Sequence, residues 1–150
     1  MSVPAIRRLR TGLLRIWDKV KVQAAFDGLL KEQGKVDAAE WLANPANIVL
    51  ENDRGDLALF EYGFPTQKIY SGHYFFKSRG REAITAGRDF LDELFNSCYN
   101  ISILMGLVPK DHRAARWITR QLGFTSYGKE EIAGKEYELF ILTKKEFNNE

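Results

Sequence analysis

Apolar residues along this chain switch between two spacings, and the switches divide it into elements. Residues 3–9 read as a short strand. Leu13, Ile16, Trp17, Val20 and Ala24 then recur at helical spacing. Phe26, Leu29 and Leu30 widen that stripe and Gly34 ends it. Asp37-Ala38-Ala39-Glu40 has the spacing of a capping box, so a second short helix should run through Trp41 and stop before Pro45. The period then becomes two. Residues 47–51 and 56–62 alternate as strands about the turn Asn52-Asp53-Arg54-Gly55. Phe64-Pro65-Thr66-Gln67 breaks the chain and residues 68–76 form a third strand, which predicts an antiparallel meander.

From Glu82 the helical period returns. Ala83, Ile84, Gly87, Phe90, Leu91, Leu94 and Phe95 share one face, while Arg81, Arg88, Asp89, Asp92 and Glu93 share the other. Residues 101–108 are almost continuously apolar, the mark of a strand covered on both faces. Pro109-Lys110-Asp111 ends it, Asp111 is placed to cap a helix through Leu122, and Gly123 closes that helix. Residues 124–131 and 135–143 follow as strands about Ala133-Gly134. The order β, α, α, β, β, β, α, β, α, β, β describes an α/β fold, a mixed central sheet with helices on both faces. A length of 150 residues suits one domain over residues 1–150.

Composition narrows the setting. At 45% hydrophobic and 28% charged residues the chain is ordinary for a soluble protein, and it can bury a core without metal or disulfide staples. A net charge of +2 gives no global attraction to nucleic acid. The basic residues do group, as Arg7, Arg8, Arg10 and Arg15, as Lys77, Arg79, Arg81 and Arg88, and as Arg113, Arg116 and Arg120. Such groups read first as solvated faces. Cys98 is the only cysteine, which excludes an intramolecular disulfide and fits a reducing cytoplasm. No apolar run reaches the ~18 residues that cross a bilayer. Met1-Ser2-Val3-Pro4 lacks the basic-then-apolar order of a secretory signal, so the expectation is a cytoplasmic protein without a membrane partner.

Two stretches carry a family resemblance. Phe76-Lys77-Ser78-Arg79-Gly80-Arg81-Glu82-Ala83-Ile84, at a strand-to-helix junction, resembles the pyrophosphate loop Q/R-x-x-G-x-G/A of the GNAT superfamily of N-acetyltransferases. Val108-Pro109-Lys110-Asp111-His112-Arg113-Ala114-Ala115, with Leu122-Gly123-Phe124, resembles that family's strand, Asn-x-x-Ala helix start and closing Leu-Gly-Phe. The resemblance spans residues 47–147, and the N-terminal third matches by element order. It implies a GNAT-type fold and transfer of an acetyl group from acetyl-CoA to an amine acceptor.

The first stretch also has a physical logic. Unpartnered N–H groups and the dipole at a helix start accept a diphosphate, and glycine lets it approach. Arg79 matches the leading Q/R, Gly80 lies inside the loop, and Arg79 and Arg81 can each donate twice to a phosphate. Glu82 stands where the family has its first Gly, and Ile84 where it has Gly or Ala. A carboxylate there opposes a diphosphate, and a β-branched side chain narrows its approach. In the second stretch His112 takes the place of the Asn. Thr119 takes that of the tyrosine that protonates the leaving thiolate, with Tyr127 and Tyr137 as phenols that could substitute. The cofactor-binding set so implied is Phe75, Phe76, Arg79, Gly80, Arg81 and His112, with a backbone N–H near Phe75 or Phe76 holding the thioester oxygen. His73 is the leading base for the amine and Glu61 the next.

Other residues read as structure. Cys98 is an apolar filler, Trp17, Trp41 and Trp117 are core on helix faces, and two distant histidines with one cysteine make no metal set. Two functions remain open. One is the acyl-CoA-dependent transferase. The other is a GNAT-fold module without catalysis, because the Arg79-to-Ile84 wording, Gln121-Leu122-Gly123-Phe124 and Phe140-Ile141-Leu142-Thr143-Lys144 look like tailed-bacteriophage GNAT-like proteins. Some of those are head-assembly or internal virion proteins, which implies phage structural partners and a place in host cytoplasm or virion.

Overall fold

Eight strands form one mixed sheet in the order β1-β2-β3-β4-β5-β6-β8-β7. The computed structural model describes residues 6–8, 12–29, 36–64, 69–97 and 99–149. In chain order these give β1 (Ile6–Arg8), β2 (Leu14–Ile16), α1 (Lys19–Leu29), α2 (Ala38–Ala43), β3 (Ile48–Glu51), β4 (Leu57–Phe64) and β5 (Ile69–Phe75). There follow α3 (Arg81–Asn96), β6 (Ile103–Pro109), α4 (Arg113–Gln121), β7 (Thr125–Ile132), β8 (Lys135–Thr143) and α5 (Lys144–Asn148). Every neighbouring pair is antiparallel except β5 with β6.

Two apolar clusters lie on opposite faces of the sheet. One joins Phe90, Leu91, Leu94 and Phe95 of α3 to Leu50, Phe60, Leu104, Phe140 and Leu142. The other joins Val22, Ala25 and Phe26 of α1 and Trp41 of α2 to Val49, Leu57 and Leu59. Helices therefore cover both faces, as the element order predicts. On the first face α3 and α4 come close at Gly87, where a Cβ would stand 2.9 Å from the Leu122 side chain.

The structure departs from the sequence reading in six places. The helix expected from Leu13 begins only at Lys19, because Leu14–Ile16 pairs as a strand with β1 and β3 and Asp18 caps the helix after it. Leu13 and Ile16 face opposite clusters, which a strand achieves in so short a run. Glu93, expected on the polar face of α3, is buried. The cap of α4 is His112 and not Asp111: its Nδ1 accepts from the Ala115 N–H at 3.3 Å. Strand β6 is only partly covered, with Leu104 alone fully buried. Helix α5 is set by a reciprocal capping box between Thr143 and Glu146. Trp41 is core as expected, but Trp117 on α4 is 46% exposed. Cys98, Arg10 and residues 65–68 lie outside the described residues, as do the side chains of Arg7 and Arg8.

Candidate functional site

The two parallel strands hold together for only three residue pairs, ending at Ser71 with Met105. Beyond that point β5 stays paired to β4 as far as Phe75, and β6 to β8 as far as Pro109. The inner edges of β5 and β6 therefore diverge and leave main-chain groups without a ladder partner. A cavity of about 520 Å³ fills the divergence. Its walls come from residues 72–76 of the β5 side, residues 105–109 of β6, and Trp117, Ile118 and Thr119 of α4. Its size is that of a small-molecule site.

One end of the cavity reaches the start of α3. Arg79 and Gly80 line it there. Gly80 is the cap residue, with φ 56° and ψ −129°, a conformation that glycine adopts without strain. It brings no capping side chain, and the first helical bond runs from the Ile84 N–H to the Gly80 carbonyl. The N–H groups of Arg81, Glu82 and Ala83 thus have no acceptor within the helix, the arrangement that favours an anion. Arg81 is exposed beside it. The two residues expected to obstruct the loop both point elsewhere. Glu82 lies 3.6 Å from Arg54 across the surface, and Ile84 packs on the larger apolar cluster.

The loop is fixed from beneath by a residue the sequence did not single out. Asp56 is fully buried at the start of β4. Its Oδ1 accepts from the N–H groups of Lys77 (2.5 Å) and Ser78 (2.8 Å). Its Oδ2 accepts from the Ser78 hydroxyl (2.7 Å) and the Asn52 amide (2.9 Å). Burial by itself would raise the Asp56 carboxyl, but the bonds from Ser78, Asn52 and Lys77 outweigh it and hold the group below its ordinary range. An acidic residue opening an apolar strand after an Asn turn was the available signal.

His73 lines the cavity from β5. Loss of solvation lowers its pKa, and the charge of Glu61 opposes that shift, so the imidazole is neutral at neutral pH. Alternation places His73 with Phe75, on the face of α1, where Gly28 also borders the cavity. Glu61 is exposed on β4. Phe75 and Phe76 both border the cavity, as does His112, whose Nδ1 is engaged in the helix cap. The Thr119 hydroxyl donates to the Ala115 carbonyl at 2.7 Å. Of the two alternative phenols, Tyr137 lines the cavity and is 3% exposed, whereas Tyr127 stands 62% exposed on β7.

A second buried carboxylate holds the opposite wall. Glu138 on β8 accepts from Arg116 Nε at 3.0 Å and Arg120 Nη2 at 2.8 Å, tying α4 to the sheet. Burial would raise its carboxyl, but hydrogen bonds from Ser126 and Arg116 and the charges of Arg120 and Arg116 bring it below the usual range. Among the described residues there is no cluster of metal-ligating side chains, and no helix is long and apolar enough to cross a membrane.

No protein-family model matches the chain, and no curated protein matches its sequence. Solved structures match closely in shape. A chimera of the spermidine N-acetyltransferase SpeG from Vibrio cholerae with hSSAT superposes with a TM-score of 0.68 at 15% identity, over 97% of this chain and 98% of that one. Mutant forms of the V. cholerae spermidine/spermine N-acetyltransferase SpeG give 0.65 at 16%, over 96% and 95%. A GNAT-family acetyltransferase from Bacillus anthracis gives 0.63 at 14%, over 94% and 99%. The chain has the GNAT fold. Identities this low speak for the fold, and what the chain does must be argued from its own site.

Proposed function

We propose that this GNAT-fold chain is an acyl-CoA-dependent N-acetyltransferase acting on a small amine. The observation that carries this is one continuous cavity between diverging strands, open at one end onto the uncapped start of α3 and bordered by a neutral histidine. Acetyl-CoA fits that arrangement: free N–H groups and Arg79 and Arg81 suit a diphosphate, and an apolar channel with unpaired strand edges suits a pantetheine arm. Bound there, its thioester supplies the activated acyl group.

In this reading Gly80 and the N–H groups after it hold the diphosphate, with Arg79 and Arg81 donating from the side. Backbone N–H near Phe75 or Phe76 holds the thioester oxygen. His73 takes the proton of the acceptor amine, and Glu61 stabilises the imidazolium that results. Of the two alternative phenols Tyr137 lines the cavity, so it is the better placed source of a proton for the leaving thiolate. His112 serves the site by fixing the start of α4. Because the SpeG neighbours are spermidine N-acetyltransferases, polyamines are the first acceptors to try. The assembly-module reading gains nothing from these neighbours.

The test is isothermal titration with acetyl-CoA, beside the Arg79→Ala variant. Micromolar binding that weakens about tenfold in the variant is expected, since a charged hydrogen bond contributes about 1.5–3 kcal/mol. No binding at millimolar ligand would sink the reading.

A further inference from the structure

We infer that the space beside Gly106 receives the acyl chain of the donor and admits chains longer than acetyl, an inference that rests on the acyltransferase reading above. The strands part after Ser71 and Met105, and the next residue on each side of the vertex is a glycine, Gly72 on β5 and Gly106 on β6. Both line the cavity. They differ in what surrounds them. A Cβ at Gly72 would meet Leu104 and Phe60 at 3.4 Å, ordinary packing, whereas a Cβ at Gly106 would have no heavy atom within 4 Å.

That vacancy sits in apolar surroundings. Alternation puts Gly106 on the same face of β6 as Leu104 and Val108, which join the cluster under α3. Its cross-strand partner on β8 is the fully buried Phe140. Ile118 and Phe124 border the same cavity. The φ of Gly106 is not positive, so the backbone does not require glycine there. Any strand-forming residue fits the conformation, and a valine would recover the dispersion contacts that an apolar void forfeits. The side chains of Leu104, Val108, Phe140, Ile118 and Phe124 around it offer water no hydrogen-bond partner, so an aliphatic guest is the ligand that suits it. The slot also lies in the right direction. From Phe75, beside the expected thioester oxygen site, to Gly72 at the vertex is three residues, about 10 Å of extended strand. A chain of several methylenes fits that depth.

The experiment is calorimetric titration of the full chain with CoA, acetyl-CoA and hexanoyl-CoA, repeated with Gly106→Val and Gly106→Ala and accompanied by thermal melts. Each buried methylene contributes about a fourfold gain in affinity. Hexanoyl-CoA should therefore bind at least tenfold more tightly than acetyl-CoA. In Gly106→Val that ratio should collapse toward one while the melting temperature holds or rises, and Gly106→Ala should lie between, which covers the case of a valine variant that fails to fold. Equal affinities in the unmodified chain, or a ratio that survives both substitutions, would overturn the inference and leave the acyltransferase reading standing. Binding of none of the three ligands would overturn both.

Discussion

Two helices begin at the mouth of the cleft, and their first turns are finished in opposite ways. Helix α4 is closed by its own chain, since the His112 ring accepts the Ala115 N–H. Helix α3 starts from Gly80, which carries no side chain to do the same. Each is held by a buried carboxylate, but the two carboxylates act at different levels. Asp56 binds main-chain N–H groups of the loop and sets the backbone on which α3 opens. Glu138 binds the side chains of Arg116 and Arg120 and fastens a helix already formed. The contrast teaches that the open helix start is an arranged feature. Donors left free at a helix end are useful to a ligand only where something else fixes the backbone.

Breaking the Asp56 anchor should have the largest effect. Asp56→Ala leaves the Lys77 and Ser78 N–H groups buried without acceptors, a loss of about 3 kcal/mol or more in urea unfolding. The anchor also has an acid signature. The folded carboxyl titrates below its ordinary value of 3.8, so its contribution is complete above that value and disappears as pH falls through the folded value. Asp56→Asn should therefore flatten acid unfolding below pH ~4. An unchanged acid limb would show that the carboxylate charge is not what holds the loop. Glu138→Gln comes next, at about 2 kcal/mol, because two charge-assisted bonds weaken while the packing is kept. Its effect should appear as faster hydrogen exchange in α4 with α3 unaffected, and equal loosening of both helices would erase the distinction between the anchors. The smallest effect belongs to His112→Ala, about 1 kcal/mol for a lost cap, with His112→Asn restoring it. Failure of asparagine to rescue would mean that the imidazole has work beyond capping.

Much of this architecture was legible in one dimension. The α3 stripe, the meander and the last strand stand where period and turn residues put them, because each is long enough to show its own repeat. The Arg79-Gly80 junction was legible for the same reason, being local. Short elements were not. Leu14–Ile16 has three residues, too few to separate a strand from a helix turn, and its pairing with β1 and β3 decided the matter. Trp117 reads as core by type, yet α4 buries no residue fully and turns that ring to the cavity mouth. The burial of Asp56 and Glu138 was not legible, because an Asp after an Asn turn does not say that loop N–H groups will converge on it, nor a Glu in a strand that two arginines will.

The sequence by itself determined the order of the longer elements, the apolar faces that make helices cover both sides of a sheet, and the glycine that leaves α3 uncapped. These follow from side-chain period and backbone freedom, which act over a few residues. Tertiary structure alone decided where β5 and β6 part, that Gly106 borders an unfilled apolar slot while Gly72 is packed, and which carboxylates are buried. Those depend on residues that are distant in the chain and meet only when the sheet closes, so no local repeat can encode them.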